Sequence, residues 1–171
     1  MTKNKFKKIS AVIGAVLCTL LITAAAFAAE FISAEQARTI AAEWVPAGST
    51  HLVTKDENHK FANYYEVKFF NSATSTAYEV EVLKNDGSVK EFKMEAQAAL
   101  GSARVVLSAA DVQDLVRKEF PNASFTKVKL DSDDGLYEYE LKFTTPELRG
   151  EMKFNPETGT ILEKELKYQV N

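Results

Sequence analysis

Cysteine is nearly absent from this sequence, and histidine is scarce. The single cysteine, Cys18, lies in an apolar stretch near the N-terminus, and the only histidines are His51 and His59. If residues 1–28 are removed, as argued below, the remaining chain can form no disulfide, perform no thiol chemistry and bind no zinc through cysteine. Its stability must then come from an ordinary hydrophobic core.

Positive charge is also in short supply. The chain has 21 Lys and Arg residues against 24 Asp and Glu, and four of the lysines lie within its first eight residues. Without those four, 17 basic residues face 24 acids, which is a formal charge of −7. Phosphate binding depends on clustered Lys and Arg, so we expect no nucleic-acid partner.

The motifs of common catalytic sites are missing as well. The sequence has no glycine-rich phosphate loop, no GxSxG nucleophile elbow and no HExxH zinc motif. The acid pairs Glu79 with Glu81 and Glu138 with Glu140 have the residue type of a two-carboxylate hydrolase. Alternate acids on a strand are, however, typical of a solvated sheet face. We therefore predict a protein that is not an enzyme, with no catalytic residue and no cofactor.

Two segments have some features of metal sites. His51 and His59 lie eight residues apart with Asp56 and Glu57 nearby, but further ligands at compatible spacing are missing. "DSDDG", residues 131–135, begins like a calcium loop, yet its glycine comes one position early and a strand pattern follows. We predict no metal site, two solvated histidines and a hairpin turn at DSDDG.

The N-terminal region has the layout of a secretory signal. The four early lysines precede an uncharged run over residues 9–29 that ends in "AAAFAA". Ala26 and Ala28 occupy the positions where signal peptidase requires small side chains, so we expect residues 1–28 to be removed. Residues 9–28 are also nearly long enough to span a bilayer, which takes about 20 apolar residues. An uncleaved membrane anchor is therefore the alternative.

The remaining chain contains the same sequence pattern twice. Three segments of the first half align with three of the second half in the same order. The aligned pairs are "ISAEQARTIAAEWVP" from Ile32 with "LSAADVQDLVRKEFP" from Leu107, "YEVKF" from Tyr65 with "YELKF" from Tyr139, and "NDGSV" from Asn85 with "ETGTI" from Glu157. The sequence therefore contains tandem repeats.

Each repeat is predicted to begin with a helix. Ser33 and Ser108 can cap the first amides, and a Gln or an Asp follows three residues later, as in a capping box or its acidic variant. Apolar residues then recur at helical spacing on one face. Pro46 and Pro121 disfavour helical conformation before them, so both helices should end there.

After each proline the apolar period changes from about 3.6 to 2. The change is plainest over residues 137–143, where Tyr, Leu and Phe alternate with Glu and Lys. Further strands of the second repeat are predicted at 126–130, 148–154 and 160–167. We interpret "NPETG", residues 155–159, as the turn between the last two strands, because its glycine can take a positive φ.

The predicted fold class is α+β, with two tandem repeats, each consisting of one helix packed on a three- to four-stranded antiparallel β meander. We place repeat 1 at residues 30–95, a linker at 96–106 and repeat 2 at 107–171. The alanines of segment 95–106 predict a short helix that ends at Gly101.

The capped helix, the central "YEVKF" or "YELKF" strand and the closing hairpin, each present twice, resemble the PepSY domain over nearly the whole chain after the signal. The resemblance implies a small non-enzymatic module of extracytoplasmic bacterial proteins, found also in propeptides of secreted thermolysin-like metalloproteases. There it is associated with inhibiting a peptidase or assisting its folding. It carries no catalytic residue over to this chain. Since no HExxH motif follows, any peptidase would be regulated in trans.

The expected function is a secreted or envelope-associated binding module with a protein partner, such as a secreted peptidase, at the extracellular face of a bacterial envelope. A partner segment could add to an edge strand of a meander. Tyr64, Phe70 and Tyr137 are candidate anchors, but alternating aromatics are usually core, so no binding residue is assigned. The alternative function is a membrane-anchored structural or sensory envelope protein without a peptidase target.

Overall fold

The computed structural model describes residues 31–59, 62–98 and 100–170, so the predicted signal at 1–28 lies outside the described residues. The described chain forms two helices and eight strands. In chain order they are α1 (Ala34–Ala42), β1 (Thr50–His59), β2 (Ala62–Asn71), β3 (Thr76–Leu83), β4 (Val89–Ala96), α2 (Ala109–Glu119), β5 (Ser124–Asp133), β6 (Leu136–Thr144), β7 (Leu148–Phe154) and β8 (Ile161–Tyr168).

Both helices begin at the predicted capping boxes. Ser33 Oγ accepts a hydrogen bond from the Gln36 amide at 3.2 Å, and Gln36 Oε1 accepts one from the Ser33 amide at 2.7 Å. Ser108 and Asp111 make the same reciprocal pair at α2. These bonds satisfy amides that the first helical turn leaves without an internal partner. Neither of the two helices in the described residues is long and apolar enough to cross a membrane.

The predicted turns join antiparallel strands. β5 and β6 are connected by Asp134 and Gly135, which have φ angles of 47° and 80°, so DSDDG is a two-residue hairpin. NPETG connects β7 and β8. Its Asn155 Oδ1 accepts hydrogen bonds from the amides of Glu157 and Thr158, and Gly159 has a φ of 75°.

The NPETG turn also anchors the segment between the repeats. The carbonyl oxygen of the buried Pro156 accepts a hydrogen bond from the Leu107 amide at 2.9 Å. The Ser102 hydroxyl donates a hydrogen bond to the Glu157 carboxylate at 2.7 Å. Repeat 1 has the matching backbone bond, from the Ile32 amide to the Lys84 carbonyl at 2.8 Å. The turn is therefore a structural element that fixes the start of each helix against the sheet.

The helix predicted for segment 95–106 is wrong for its described residues. β4 continues to Ala96, whose register partner is Thr76, and the Gln97 amide donates to the Ser75 carbonyl at 2.9 Å. Further on, Ser102 forms an isolated bridge with Tyr137. These sheet hydrogen bonds occupy the backbone groups that a helix would need, and they override the helix propensity of alanine.

The two meanders are joined in one sheet, which corrects the expectation of two separate helix-and-meander units. The strand order is β1-β2-β3-β4-β8-β7-β6-β5. β4 and β8 pair antiparallel, with Lys93 opposite Glu165. These two residues are equivalent in the repeats, eight positions after Asn85 and Glu157. The β4–β8 seam is therefore a pseudo-two-fold axis, and β1 and β5 become the two outer edges.

Both helices pack on the same face of this sheet. Trp44, just after α1, contacts Phe92 of β4 and Tyr168 of β8, with ring centroids 6.4 Å and 5.3 Å away. Lys164 of β8 binds Glu119 of α2 at 2.7 Å. One hydrophobic core runs beneath both helices and includes buried residues of both repeats. The opposite face of the sheet, called the open face below, carries neither of the two described helices.

Candidate functional site

The open face is covered by alternating acids and lysines that form ion pairs across the strands. Lys68 of β2 binds Glu79 of β3 at 2.8 Å, and Lys142 of β6 binds Glu151 of β7 at 2.7 Å. Lys153 joins Glu163 of β8 at 2.9 Å. Such pairs follow the cross-strand register, which places residues of one face about 5 Å apart. The face is therefore polar but internally neutralised over much of its area.

The acid pairs of the sequence lie within this lattice. Glu79 and Glu81 bind Lys68 and Lys90, and Glu140 binds Lys127. Glu81 is buried, which differs from the expected fully solvated face. Lys127 and Lys142 lower the pKa of Glu140, its hydrogen bond with Lys127 being the largest cause. A carboxylate held in its ionised form by lysines is poorly suited to act as a general acid.

A depression of about 530 Å³ lies on the open face near the centre of the sheet. It extends from the β1 edge across the β4–β8 seam. Its lining includes Leu52, Lys68, Glu79, Lys93, Glu95 and Glu163. The depression thus connects an exposed edge of the sheet with the contact between the two repeats.

Glu91, beside the seam, is a buried carboxyl with an incomplete set of partners. Its residue is only 7% exposed, and its Oε1 is buried without an aligned hydrogen-bond donor among the described residues. Lys93 Nζ approaches that oxygen to 2.9 Å. Burial raises the pKa of Glu91 above its usual value, Lys93 opposes this rise, and the neighbouring Glu165 adds to it. Glu91 thus holds its proton more tightly in the folded protein than in the unfolded chain.

The pKa of the neighbouring Glu165 is shifted in the opposite direction, to below its usual value. Burial alone would raise the pKa of Glu165, but hydrogen bonds from Lys167 and from the Glu91 carboxyl lower it. Burial likewise opposes the charge of Lys93, yet its bond to Glu91 and the surrounding carboxylates raise its pKa. The seam therefore brings together two carboxyls, one from each repeat, whose pKa values are shifted in opposite directions.

Glu91→Gln is expected to stabilise the protein near neutral pH and to have no such effect in acid. When folding raises the pKa of a carboxyl, the stability that this group contributes is present at low pH. It is lost as pH rises above the pKa of the carboxyl in the unfolded chain. Glutamine keeps the shape of the protonated side chain without its titration. The melting temperature of the variant should exceed that of the wild type at about pH 7.5 and match it at about pH 4.

The control for this prediction is Glu95→Gln, on the exposed part of the same strand. That change removes an exposed carboxyl and should not reproduce the stabilisation expected for Glu91→Gln at neutral pH. A Glu91→Gln variant that is less stable than the wild type at neutral pH would mean that Lys93 and Lys167 need the ionised carboxylate.

The aromatic candidates are placed separately. Tyr64 and Phe70 lie on β2 in the rows of the open face, and Lys90 Nζ lies 4.3 Å from the centre of the Tyr64 ring. The Tyr137 side chain is on the helix face, and its backbone forms a bridge with Ser102. The structure does not bring these three side chains together, so they form no common anchor site.

The histidines are also apart. His51 is half-buried, not solvated as expected, and its Nε2 lies 2.9 Å from Thr54 Oγ1. His59 is exposed and stacks on Tyr64 with ring centroids 5.5 Å apart. Within the described ranges, no group of three or more His, Cys, Asp or Glu side chains is placed to hold a metal ion.

The free edges differ in character. Within the part of the chain that the structure describes, β1 pairs only with β2, and it has a β-bulge between His51 and Val53. Leu52 and Val53 are 60% and 37% exposed there, and Leu52 lines the central depression. Among the described strands β5 pairs only with β6, and it carries Lys127, Lys129 and Asp131 on the open face. Unpaired edges with exposed apolar side chains are sites at which proteins add a partner strand.

Comparison with solved structures gives two matches. The C-terminal domain of YpeB from Bacillus megaterium matches with a TM-score of 0.51 and 12% sequence identity, covering 79% of this chain and 63% of that one. A candidate lipoprotein from Clostridium difficile 630 matches with a TM-score of 0.33 and 16% identity, covering 70% of this chain and 84% of that one. The chain thus spans less than two thirds of the YpeB domain. No curated protein matches this sequence.

The family comparison agrees with the repeat structure. The family described as "Peptidase propeptide and YPEB domain" matches this sequence twice, at residues 31–97 and 106–165. The two matches contain one helix and one four-stranded meander each, apart from the end of β8. The chain therefore belongs to the PepSY family, whose domains are extracytoplasmic and generally non-catalytic regulatory modules.

Proposed function

We propose that this chain is a secreted or envelope-associated binding module that regulates a peptidase in trans by pairing with an extended segment of it. The observation that carries the proposal is the free β1 edge, where Leu52 and Val53 are exposed beside the depression of the open face. Membership of a family named for peptidase propeptides supports the choice of a peptidase as the partner.

Binding at this edge has a direct physical basis. The outer amides and carbonyls of β1 can hydrogen-bond to an added strand, which supplies affinity that depends little on sequence. Apolar side chains of that strand would cover Leu52 and Val53 and remove them from water, at about 25 cal/mol for each Å² buried. The depression next to Leu52 has room for a side chain of the partner. These contacts give the module a way to select one segment among many.

Leu52→Asp is expected to weaken binding of the peptidase at least about tenfold, because it places a charge where an apolar contact forms. The bait is the chain from Ala29 onward, which contains every described helix and strand. Pull-down from culture medium and membrane extract, followed by mass spectrometry, would identify the peptidase. Titration of its activity would then give the inhibition constant of each variant.

The matched control is Leu100→Asp, since Leu100 is 68% exposed and lies in the segment between the repeats. It should bind as the wild type does. Equal loss in both variants would count against the β1 edge as the docking site. If no peptidase of the secretome is bound or inhibited well above micromolar concentration, regulation of a peptidase is excluded.

The second candidate is a structural or sensory protein of the envelope that is retained by residues 9–28. The uncharged run of the sequence favours it, because such a run can remain in a bilayer as an anchor. The intact mass of the native protein decides whether residues 1–28 are present. Membrane proteins as the dominant prey, together with an uncleaved N-terminus, would support this candidate over the first.

A further inference from the structure

The charges on the β5 edge are arranged so that a second β5 strand, placed antiparallel to the first, would present opposite charges to it. Lys127, Lys129 and Asp131 project to the open face, because their register partners are Lys142, Glu140 and Glu138 of that face. The ladder with β6 is regular from Lys127 to the hairpin, and its β-bulge lies before Lys127. The positive charges of Lys127 and Lys129 thus precede the negative charge of Asp131 along an undistorted edge.

We propose that two copies of this chain pair antiparallel through β5, with Leu130 opposite Leu130 on the two-fold axis. Lys129 of each copy then lies opposite Asp131 of the other. Lys127 lies opposite position 133, which is an aspartate in the sequence. Because the contact is symmetric, each pairing occurs twice, and Lys129 and Asp131 of both copies meet the opposite sign.

The backbone of β5 is oriented for this contact. Residues 133 and 136 flank a two-residue hairpin and so exchange hydrogen bonds, as do alternate pairs along the ladder. Val128, Leu130 and Ser132 therefore direct their amides and carbonyls away from β6. Paired about Leu130, they would form about six backbone hydrogen bonds between the copies. Leu130 is 39% exposed in one copy and would pack against its counterpart.

The seam inside the chain already uses the same kind of contact. β4 and β8 pair about a pseudo-two-fold axis with Lys93 opposite Glu165 and Glu91 opposite Lys167. Two of the three open-face pairs of this seam thus combine a glutamate with a lysine, while the third places Glu95 opposite Glu163. The β5 contact would repeat this arrangement between molecules.

The β1 edge is a poor match for itself. An antiparallel register that pairs Lys55 with Glu57 is centred on Asp56, so it places Asp56 directly opposite a second Asp56. Like charges in that position are destabilising. Asp56 is also bound to the buried Lys84. A second copy is therefore expected at β5, which leaves β1 free for a different partner.

Charge reversal tests the contact through sedimentation equilibrium of the chain from Ala29. An edge of this size predicts a weak dimer, with a dissociation constant in the range of roughly 10–500 μM. Lys129→Asp places aspartate opposite aspartate twice and should weaken the dimer about thirtyfold or more, and so should Asp131→Lys. The double variant Lys129→Asp/Asp131→Lys restores opposite charges and should dimerise again.

Mixing the two single variants gives the sharpest result. One then has only acids and the other only lysines at 129 and 131, so the mixture should form heterodimers although each variant alone is monomeric. Lys55→Asp on β1 is the control and should dimerise as the wild type does. Circular dichroism establishes that each variant is folded.

Three outcomes would overturn the proposal. The first is a wild-type chain that stays monomeric up to about 1 mM. The second is a mixture of single variants that fails to associate, because ion pairing across the axis would then be absent. The third is growth into open-ended assemblies that both Lys55→Asp and Lys129→Asp abolish, which indicates head-to-tail pairing of β1 with β5. None of these depends on whether a peptidase is bound.

Discussion

Gly150→Ala is expected to destabilise the fold by roughly 2–3 kcal/mol, since overpacking of a closed core typically costs 1–3 kcal/mol. Phe143 of β6 lies opposite Gly150 of β7, and its ring covers the glycine. A Cβ at position 150 would lie 2.2 Å from Phe143 Cζ. The ring cannot easily move away, because Phe120 and Phe125 lie 5.0 Å and 6.3 Å from it between centroids.

Thermal and urea unfolding followed by circular dichroism measure this effect, with an expected fall in melting temperature of roughly 6–12 °C. Phe143→Leu removes the edge of the ring and provides the control. In the double variant Phe143→Leu/Gly150→Ala the added methyl group should cost less than in the wild-type background, giving a non-additive cycle. Near wild-type stability of Gly150→Ala would show that the strands separate enough to admit a side chain.

Local features of this fold follow from local sequence. Ser33 and Ser108 cap their helices because the residue three positions later returns a hydrogen bond, and this interaction spans a single turn. Gly159 marks a turn because it takes a positive φ of 75°. These effects depend on a few adjacent residues, and duplication of the pattern makes each inference stronger.

The union of the two meanders has no such local signal. Its central pair, Lys93 and Glu165, lies on alternating strands that resemble any solvated sheet edge in sequence. In the structure these equivalent residues of the two repeats lie directly opposite each other, and neither strand indicates this register by itself. Charges of β4 and β8 are opposite at only two of the three open-face pairs, so their comparison gives a weak signal for this pairing. The alanines of segment 95–106 predict a helix, but the hydrogen bonds of Gln97 and Ser102 connect this segment to residues distant in sequence, which no local pattern indicates.

The candidate surfaces were predictable only in kind. Free edge strands follow from a meander, but which strands remain free depends on the β4–β8 contact. Leu52 and Val53 gave no signal, since two adjacent apolar residues on a strand are ordinarily half core. Their exposure results from the β-bulge at the β1 edge, which disrupts the alternation of side chains locally. The sequence also gives no indication that Glu91 is unusual, because the burial that raises its pKa comes from neighbours on other strands.

The single core leads to the second large prediction, that the two repeats unfold as one unit. Leu141→Ala in repeat 2 should cost about 3 kcal/mol, as for other fully buried leucines. Trp44 is the only tryptophan of the chain, lies in repeat 1 and contacts Tyr168 of repeat 2. Its fluorescence therefore reports on repeat 1 and the seam, at a distance in sequence from the substitution.

If the seam couples the repeats, Leu141→Ala shifts the Trp44 transition and the circular dichroism transition to the same lower urea concentration. Val67→Ala, a buried change in repeat 1, should also move both transitions together. Separate transitions, with Trp44 unaffected by Leu141→Ala, would mean that the β4–β8 pairing is too weak to join two folding units. Coincident transitions would make the seam, and not the repeat, the element on which the stability of this module depends.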